Sequence, residues 1–311
     1  MPLCLSGVQY CASVDNLGAL YRWLQAEGTR MLRMISGTRR RMLFASRCSR
    51  LAAGMERVEP NAYIHNDANE ATQHMRCENA AVGVVFDGDD TLWYTEQLYD
   101  DARWNARRIV ADAGLDGAEW EKLERRIDVA NVAILGYSME RFPTSCVLAY
   151  EEACHSQGCT PETSVADRIR HAARSVFART PPLAPGARET LTCLRTRGAR
   201  LALLTKGDQE LQARRIEGSG LGDLFHIVQI VPEKSPTTIR SMVVSLGVNP
   251  ESAWMVGNSI RSDVLPALAA GLRAIWINTH VWEYERTHDH LIDERVITIS
   301  HLVDILDLVA V

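Results

Sequence analysis

The chain has 311 residues, 46% of them hydrophobic, and a net charge of −5 at pH 7 with its histidines neutral. This length can bury the core of one large domain or two modest ones. The mildly acidic balance gives no reason to expect nucleic-acid binding, and no apolar run reaches the ~18 residues that a membrane span needs. These values indicate a soluble globular protein without a nucleic-acid or membrane partner.

Residues 1–80 differ in composition from the rest of the chain. They hold six of the nine methionines and no lysine, and residues 29–55 carry arginines and serines but no acid. A transit peptide has this composition, but the stretch starts far inside the chain and follows acidic residues. A basic nucleic-acid-binding arm would carry interleaved aromatic residues. We therefore expect residues 1–80 to be an extension with little fixed structure, outside the folded core.

From residue 81 onward, apolar strand-like runs alternate with helix-length segments, several of which end on glycine, as helix C-termini prefer. This alternation predicts an α/β fold: a Rossmann-like three-layer α/β/α core with a mainly parallel sheet, whose ligands bind at the carboxyl ends of the strands. The runs predicted as strands are residues 81–86, 199–205, 224–231, 252–257, 273–278 and 295–299.

One interval breaks the alternation. Residues 95–183 contain only helical patterns, and the run "TPPLAPG" that closes them is typical of a hinge. We predict a small all-helical cap domain over residues 95–183, inserted between two parts of the α/β core domain, residues 81–94 and 184–311.

The first predicted strand runs directly into acids, in "VVFDGDDTLW" (residues 84–93). Carboxylates this close repel one another, so the arrangement costs stability unless a positive group lies among them. Asp87 and Asp89 are two residues apart in an extended segment and therefore share a face. Asp90 is expected to point to solvent, and Thr91 to shape the turn. The stretch indicates a binding or catalytic site.

Further polar residues follow the other predicted strands. Lysine is rare in this chain, with Lys122, Lys206 and Lys234 as the three lysines among 34 basic residues. Two of the three lie at strand ends, where a compact ammonium suits an anion pocket better than a guanidinium does. The residues at these ends are Thr205 and Lys206 after the second strand, Lys234 after the third, and Asn258 and Asp263 after the fourth.

These motifs resemble those of the haloacid dehalogenase superfamily, specifically its Mg²⁺-dependent phosphatases with a helical cap inserted after the first strand. The family's Asp-x-Asp-x-Thr motif is similar to Asp87 to Thr91, its Ser or Thr at the end of a strand to Thr205, and its lysine to Lys234. Its Gly-Asp motif with a later second Asp is similar to "GNSIRSD", except that Asn258 stands where an acid is usual. The resemblance covers about residues 81–311.

The resemblance implies a phosphomonoester hydrolase that acts on a small phosphorylated metabolite through an aspartyl-phosphate intermediate. Asp87 would be the nucleophile and Asp89 the proton donor and acceptor, while Thr205 and Lys234 would stabilise the transferred group. Substrate binding would involve Thr205, Lys206, Lys234 and Thr91, and Mg²⁺ would be held by Asp87, the backbone carbonyl of Asp89, Asn258 and Asp263. Because Asn258 lacks an acid's charge, we expect weakened Mg²⁺ binding.

Two other functions fit the same motifs. A phosphomutase shares the first half-reaction of such a phosphatase. In a non-catalytic binding or scaffold protein, Asn258 would instead mark a metal site that has lost one of its acids. Dehalogenation is disfavoured because that reaction needs no proton donor at the second acid position of the motif, whereas Asp89 is present there. Phosphonate cleavage is disfavoured because it needs a cap lysine, and Lys122, the single candidate, lies in a charged run that is typical of a solvated helix face.

The remaining chemistry-bearing residues have simpler interpretations. The eight cysteines form no CxxC pair, which favours free thiols in a reducing compartment and hence a cytoplasmic location. Cys154, His155 and Cys159 lack a fourth metal ligand and are typical of a helix end. We interpret "GSGLG" (218–222) as a helix C-terminus rather than a dinucleotide loop, and "THDHLIDE", with its two histidines, as an exposed polar turn.

Overall fold

The computed structural model describes residues 81–279, 281–286 and 293–309. These residues belong to one compact unit, Met75–Val311. The expectations for residues 1–80 and for the two histidines of "THDHLIDE" fall outside the described residues.

Six strands form one sheet in which every neighbouring pair is parallel. Their order across the sheet is β3-β2-β1-β4-β5-β6. The predicted α/β fold with a parallel sheet is therefore confirmed. The third strand starts later than predicted because Gly222–Leu224 form a 3₁₀ turn. The strands are β1 (Gly83–Phe86), β2 (Arg200–Lys206), β3 (Ile227–Val231), β4 (Ala253–Gly257), β5 (Arg273–Ile277) and β6 (Val296–Ile299).

The helices begin and end at residues that favour those positions. The Asp116 side chain accepts hydrogen bonds from two backbone N–H groups at the start of α2. The Ser235 side chain accepts one, from the Thr238 N–H, at the start of α7, where Pro236 follows it. Gly220 ends α6 in the left-handed conformation, as predicted for "GSGLG". The helices are α1 (Glu96–Asp112), α2 (Gly117–Leu135), α3 (Arg141–Ser156), α4 (Thr163–Arg174), α5 (Ala187–Thr196), α6 (Gln209–Ser219), α7 (Pro236–Ser245), α8 (Leu265–Ala269) and α9 (Ile305–Leu308).

Helices cover both faces of the sheet, because successive strand residues point to opposite sides. Val84 and Phe86 of β1 share a buried cluster with Leu191 of α5. Val85, between them, belongs to a second cluster with Met242 of α7. The predicted three-layer arrangement follows from this alternation.

Helices α1 to α4 pack on one another around a hydrophobic core of their own, which includes Trp120, Phe142 and Ile169. We call residues 96–178 the helical segment. Its helices are those predicted from the sequence, while its function as a cap stays a prediction. Lys122 is 72% exposed and pairs with Glu119, so it lies on a solvent-facing helix surface, as expected.

Cys154 and Cys159 lie at the end of α3 and are linked by a hydrogen bond from the Cys159 thiol to the Cys154 carbonyl. Among the described residues, Cys146, Cys154, Cys159 and Cys193 are free thiols. None of the described helices has both the length and the apolar character needed to cross a bilayer.

Candidate active site

The predicted site residues meet where the strand order reverses, between β1 and β4. At such a point, neighbouring connections leave on opposite faces of the sheet and open a crevice at the carboxyl ends of the strands. A cavity of about 120 Å³ lies there. Thr91 is not among its lining residues; those from the predicted set are Asp87, Asp89, Thr205, Lys206, Lys234, Asn258 and Asp263.

The Lys234 ammonium lies between two carboxylates. It contacts Asp87 Oδ1 and donates to Asp263 Oδ1 at 2.6 Å, and all three side chains are almost fully buried. A second contact fixes Asp263, whose Oδ2 accepts from the Ser259 backbone N–H at 3.0 Å. Gly257 makes this possible, because a Cβ there would lie 2.2 Å from Asp263 Oδ2. Residues from the segments that follow β1, β3 and β4 are thus joined in one buried ionic cluster.

Burial raises the pKa of Asp87 to about 7, although the neighbouring Lys234 opposes this shift. Burial also disfavours the charged form of Lys234, but Asp263 and Asp87 outweigh it and hold the pKa of Lys234 above its ordinary value. The lysine therefore stays charged, while the negative charge on Asp87 is only partly offset. Thr91 makes a long 3.5 Å hydrogen bond to Asp87 Oδ2, so its hydroxyl faces the acid.

Asp89 is held by three donors that the sequence did not reveal. Trp93 Nε1 donates to its Oδ1 at 2.7 Å. Gln212 Nε2 and Arg215 Nη1 donate to its Oδ2 at 2.7 and 2.6 Å. The Trp93 ring packs against Gly88, where an added Cβ would lie 2.5 Å from the ring. The carboxylate of Asp89 thus has a fixed orientation at the cavity wall.

The expectation that Asp90 points to solvent is wrong. Its side chain is buried and accepts hydrogen bonds from the Thr95 backbone N–H, the Thr95 hydroxyl and the Glu96 backbone N–H. Asp90 has a positive φ of 57°, a conformation that Asp tolerates better than most residues. Burial, with a smaller contribution from the charge of Glu96, raises the pKa of Asp90 to about 7. Asp90 therefore fixes the start of α1 relative to the turn after β1.

Thr205 presents a hydroxyl without a partner. Its side chain is buried at the end of β2 and lines the cavity. Within the described part of the chain, its Oγ1 makes no hydrogen bond. Buried hydroxyls are normally paired, so this atom is suited to an oxygen of a ligand in the cavity.

Lys206 is occupied by protein groups. Its ammonium donates to Tyr137 Oη at 3.1 Å, to Ser262 Oγ at 2.5 Å and to Glu285 Oε1 at 2.5 Å. Burial opposes ionisation of Glu285, but the pairing with Lys206 outweighs it and lowers the pKa of Glu285. A lysine has three N–H donors, so Lys206 has none left for a substrate in this arrangement. Instead, it joins the helical segment, through Tyr137, to the sheet domain.

The predicted magnesium ligands are all oxygen atoms, which suits Mg²⁺. Among the residues that the structure describes, no three His, Cys, Asp or Glu side chains are grouped to enclose a metal ion. The predicted set relies instead on a backbone carbonyl and on the Asn258 amide, and Mg²⁺ commonly keeps several waters. Lys234 only partly offsets the charge of buried Asp87. A divalent cation beside Asp87 would therefore fit these residues.

The helical segment supplies a further part of the cavity wall, which the sequence indicated only in part. The polar residues that the sequence offers near the predicted hinge are Tyr94, Glu96 and Arg141, of which Glu96 and Arg141 line the cavity. Glu285, from the loop after β5, carried no recognisable signal. Gln212 and Arg215 lie three residues apart and so share a helix face, but that spacing does not indicate that the face meets Asp89. The wall residues from the helical segment are Glu96, Tyr99, Arg103, Asp128, Tyr137 and Arg141.

A family model and a solved structure that match this chain both describe haloacid dehalogenase-like hydrolases. The family model described as haloacid dehalogenase-like hydrolase matches residues 82–271. A solved structure of a haloacid dehalogenase-like hydrolase from Xanthomonas campestris is similar, with a TM-score of 0.60 and 27% identity, and the match covers 74% of this chain and 96% of that one.

Two curated relatives are phosphatases. The chain is 30% identical over 236 residues to a glyceraldehyde 3-phosphate phosphatase of Methanothermobacter thermautotrophicus, covering 72% of this chain and 98% of that protein. It is 37% identical over 136 residues to a phosphoserine phosphatase of Thermus thermophilus, covering 42% of this chain and 53% of that protein. The second match therefore spans about half of the relative's length.

Proposed function

Because this chain belongs to the haloacid dehalogenase-like hydrolase family, we propose that it is a phosphatase that hydrolyses a small phosphomonoester through a phosphorylated Asp87. The observation that carries the proposal is the buried cluster at the strand ends. Asp87 lies beside the charged Lys234, the unpartnered Thr205 hydroxyl lines the same cavity, and Asp89 is held in place at its wall.

The proposed reaction has two steps. In the first, an Asp87 oxygen attacks phosphorus, the bond to the leaving oxygen breaks, and Asp89 gives that oxygen a proton. In the second, Asp89 takes a proton from water as the water attacks the aspartyl phosphate, which releases inorganic phosphate and restores Asp87. Thr205 donates a hydrogen bond to a transferring oxygen, and Lys234 offsets the charge shared by Asp87 and the phosphoryl group.

Magnesium, when bound, would be held by Asp87, the backbone carbonyl of Asp89, and Asn258 or Asp263, and would offset the negative charge of carboxylates and phosphate. Lys206 is not assigned to substrate, because its three N–H groups already have protein partners. Thr91 is assigned to positioning Asp87.

The direct test is hydrolysis of p-nitrophenyl phosphate by the purified full chain in the presence of Mg²⁺. Release of p-nitrophenol and inorganic phosphate is expected. Absence of turnover with this substrate and with a panel of small phosphomonoesters would overturn the proposal in favour of a binding or scaffold protein. A phosphomutase would instead move the phosphoryl group within a sugar phosphate without releasing it.

Asn258→Asp is expected to lower the Mg²⁺ concentration for half-maximal activity, by about tenfold, because a second charge returns to the metal site. The measurement is a Mg²⁺ titration of p-nitrophenyl phosphate turnover. Asn249→Asp, at an exposed position, makes the same charge change away from the cavity and should leave the midpoint unchanged. An unaltered midpoint in Asn258→Asp would place Asn258 outside the metal environment.

Arg215→Met is expected to lower kcat by about 10- to 100-fold with little change in KM, because Asp89 loses the ion pair that orients it for proton transfer. Arg215→Lys should recover part of the loss, since it keeps the charge. Arg214→Met is the matched control, because Arg214 is the neighbouring residue and is about half exposed. Equal losses of kcat in Arg215→Met and Arg214→Met would contradict a positioning role for Arg215. A rise in KM with kcat unchanged would contradict it as well.

A further inference from the structure

The wall that the helical segment gives to the cavity contains two ion pairs. Arg103 Nε donates to Glu124 Oε2 at 2.9 Å, and the Arg141 guanidinium pairs with Asp128. All four side chains are at least nine-tenths buried. Of these residues, Arg103, Asp128 and Arg141 line the cavity, beside the acid Glu96.

This wall carries no spare positive charge. Each guanidinium is matched by a buried carboxylate, Glu124 for Arg103 and Asp128 for Arg141. A substrate that places a carboxylate or a second phosphate there would bury a negative charge beside Asp128, where both guanidiniums of this wall are already paired. Burying an uncompensated charge is strongly unfavourable, so the wall selects against anionic substituents.

The Asp128–Arg141 ion pair leaves one acceptor atom and one donor atom without a hydrogen-bond partner. Within the described residues, Arg141 Nε and Asp128 Oδ1 are buried and make no hydrogen bond. They belong to two side chains that touch through their other polar atoms, and Trp282 supports the Arg141 guanidinium, whose central carbon lies 4.4 Å from the ring centroid. Such orphan atoms are rare in proteins, and a ligand in the cavity would pair them.

A hydroxyl is the group that suits both atoms. It can donate to Asp128 Oδ1 and accept from Arg141 Nε at once. A carboxylate would satisfy Arg141 but face the Asp128 oxygen, and an ammonium would satisfy Asp128 but offer nothing to Arg141. The cavity of about 120 Å³ is also well below the ~300–1,000 Å³ of sites for drug-sized ligands, so the carbon chain between phosphate and hydroxyl must be short.

We propose that Asp128 and Arg141 form a distal subsite for a substrate hydroxyl. The preferred substrates are then phosphomonoesters of short, uncharged, hydroxylated carbon chains, rather than phosphates of hydroxy acids or amino acids. This assignment rests on the proposed phosphatase function and defines which substrates that site takes.

The test compares kcat/KM of the wild-type full chain for glycerol 3-phosphate, propyl phosphate, 3-phosphoglycerate and phosphoserine. Glycerol 3-phosphate should exceed each of the others by at least about tenfold, the factor expected for one unmade buried hydrogen bond. If propyl phosphate or either carboxylate-bearing ester is hydrolysed equally well, the subsite is overturned while the phosphatase function stands. If none of these esters nor p-nitrophenyl phosphate turns over, the function fails and the subsite with it.

One variant tests whether the preference for glycerol 3-phosphate depends on the Asp128–Arg141 pair. Arg141→Lys keeps the charge opposite Asp128 but removes the planar Nε–H, so the ratio of kcat/KM for glycerol 3-phosphate over propyl phosphate should fall by about tenfold. Arg126→Lys is the matched control, because Arg126 lies on α2 and pairs at the surface with Glu152. General damage to the fold would lower both rates and leave the ratio unchanged, which would contradict the proposal. The wild-type comparison is independent of whether the variant folds.

Discussion

Asp87→Asn is expected to reduce turnover of p-nitrophenyl phosphate by at least about 10³-fold, the order of loss when a catalytic nucleophile is removed. Asparagine has nearly the same shape but lacks the anionic oxygen that attacks phosphorus, so no acyl phosphate can form. The measurement is steady-state phosphate release, combined with trapping of the phosphorylated chain by rapid acid quench. The wild type should give a covalent phosphate that the variant lacks.

The matched control is Asp116→Asn. Asp116 caps α2 through two backbone N–H groups, and asparagine caps helices about as well as aspartate, so this variant should keep full activity. Substantial turnover by Asp87→Asn, or covalent phosphate on a different residue, would contradict the assignment of Asp87 as the nucleophile.

Lys234→Met is expected to destabilise the fold by about 3–5 kcal/mol as well as to abolish turnover, because it leaves the buried carboxylates of Asp87 and Asp263 without their shared cation. Urea unfolding of the variant at neutral pH measures the free-energy change. Lys122→Met is the control, since Lys122 is exposed and pairs only with Glu119 at the surface, and surface pairs contribute little.

A double variant separates charge repulsion from loss of packing. Adding Asp87→Asn to Lys234→Met removes one of the two uncompensated carboxylates, so the double variant should be more stable than Lys234→Met alone. Such non-additivity is expected for residues that share one ionic cluster. Purely additive effects would mean that Lys234 does not stabilise the fold by offsetting these two acids.

The sheet could be predicted from sequence because buried parallel strands are continuous apolar runs. The same runs located Asp87, Thr205, Lys234 and Asp263, since polar residues at or shortly after the carboxyl ends of parallel strands meet at one edge of the sheet. The positions of these residues followed from local pattern alone. Their roles in catalysis remain predictions that the variants above address.

Contacts between distant elements could not be predicted. Asp89 is held by Gln212 and Arg215, more than 120 residues away in sequence, and no local pattern specifies that pairing. Lys206 was expected to bind substrate, but Glu285 and Tyr137 from remote segments take its N–H groups. Asp90 was misjudged because its burial follows from the left-handed turn, which the sequence did not signal.

The scarcity of lysine has a practical consequence for labelling. The chain has three lysines, of which Lys234 is 1% exposed and Lys206 14%, against 72% for Lys122. The amines of Lys206 and Lys234 also form ion pairs with neighbouring carboxylates. An amine-reactive dye should therefore modify Lys122 well before these two lysines. A fluorophore attached there would lie on α2 and report on the surroundings of the helical segment.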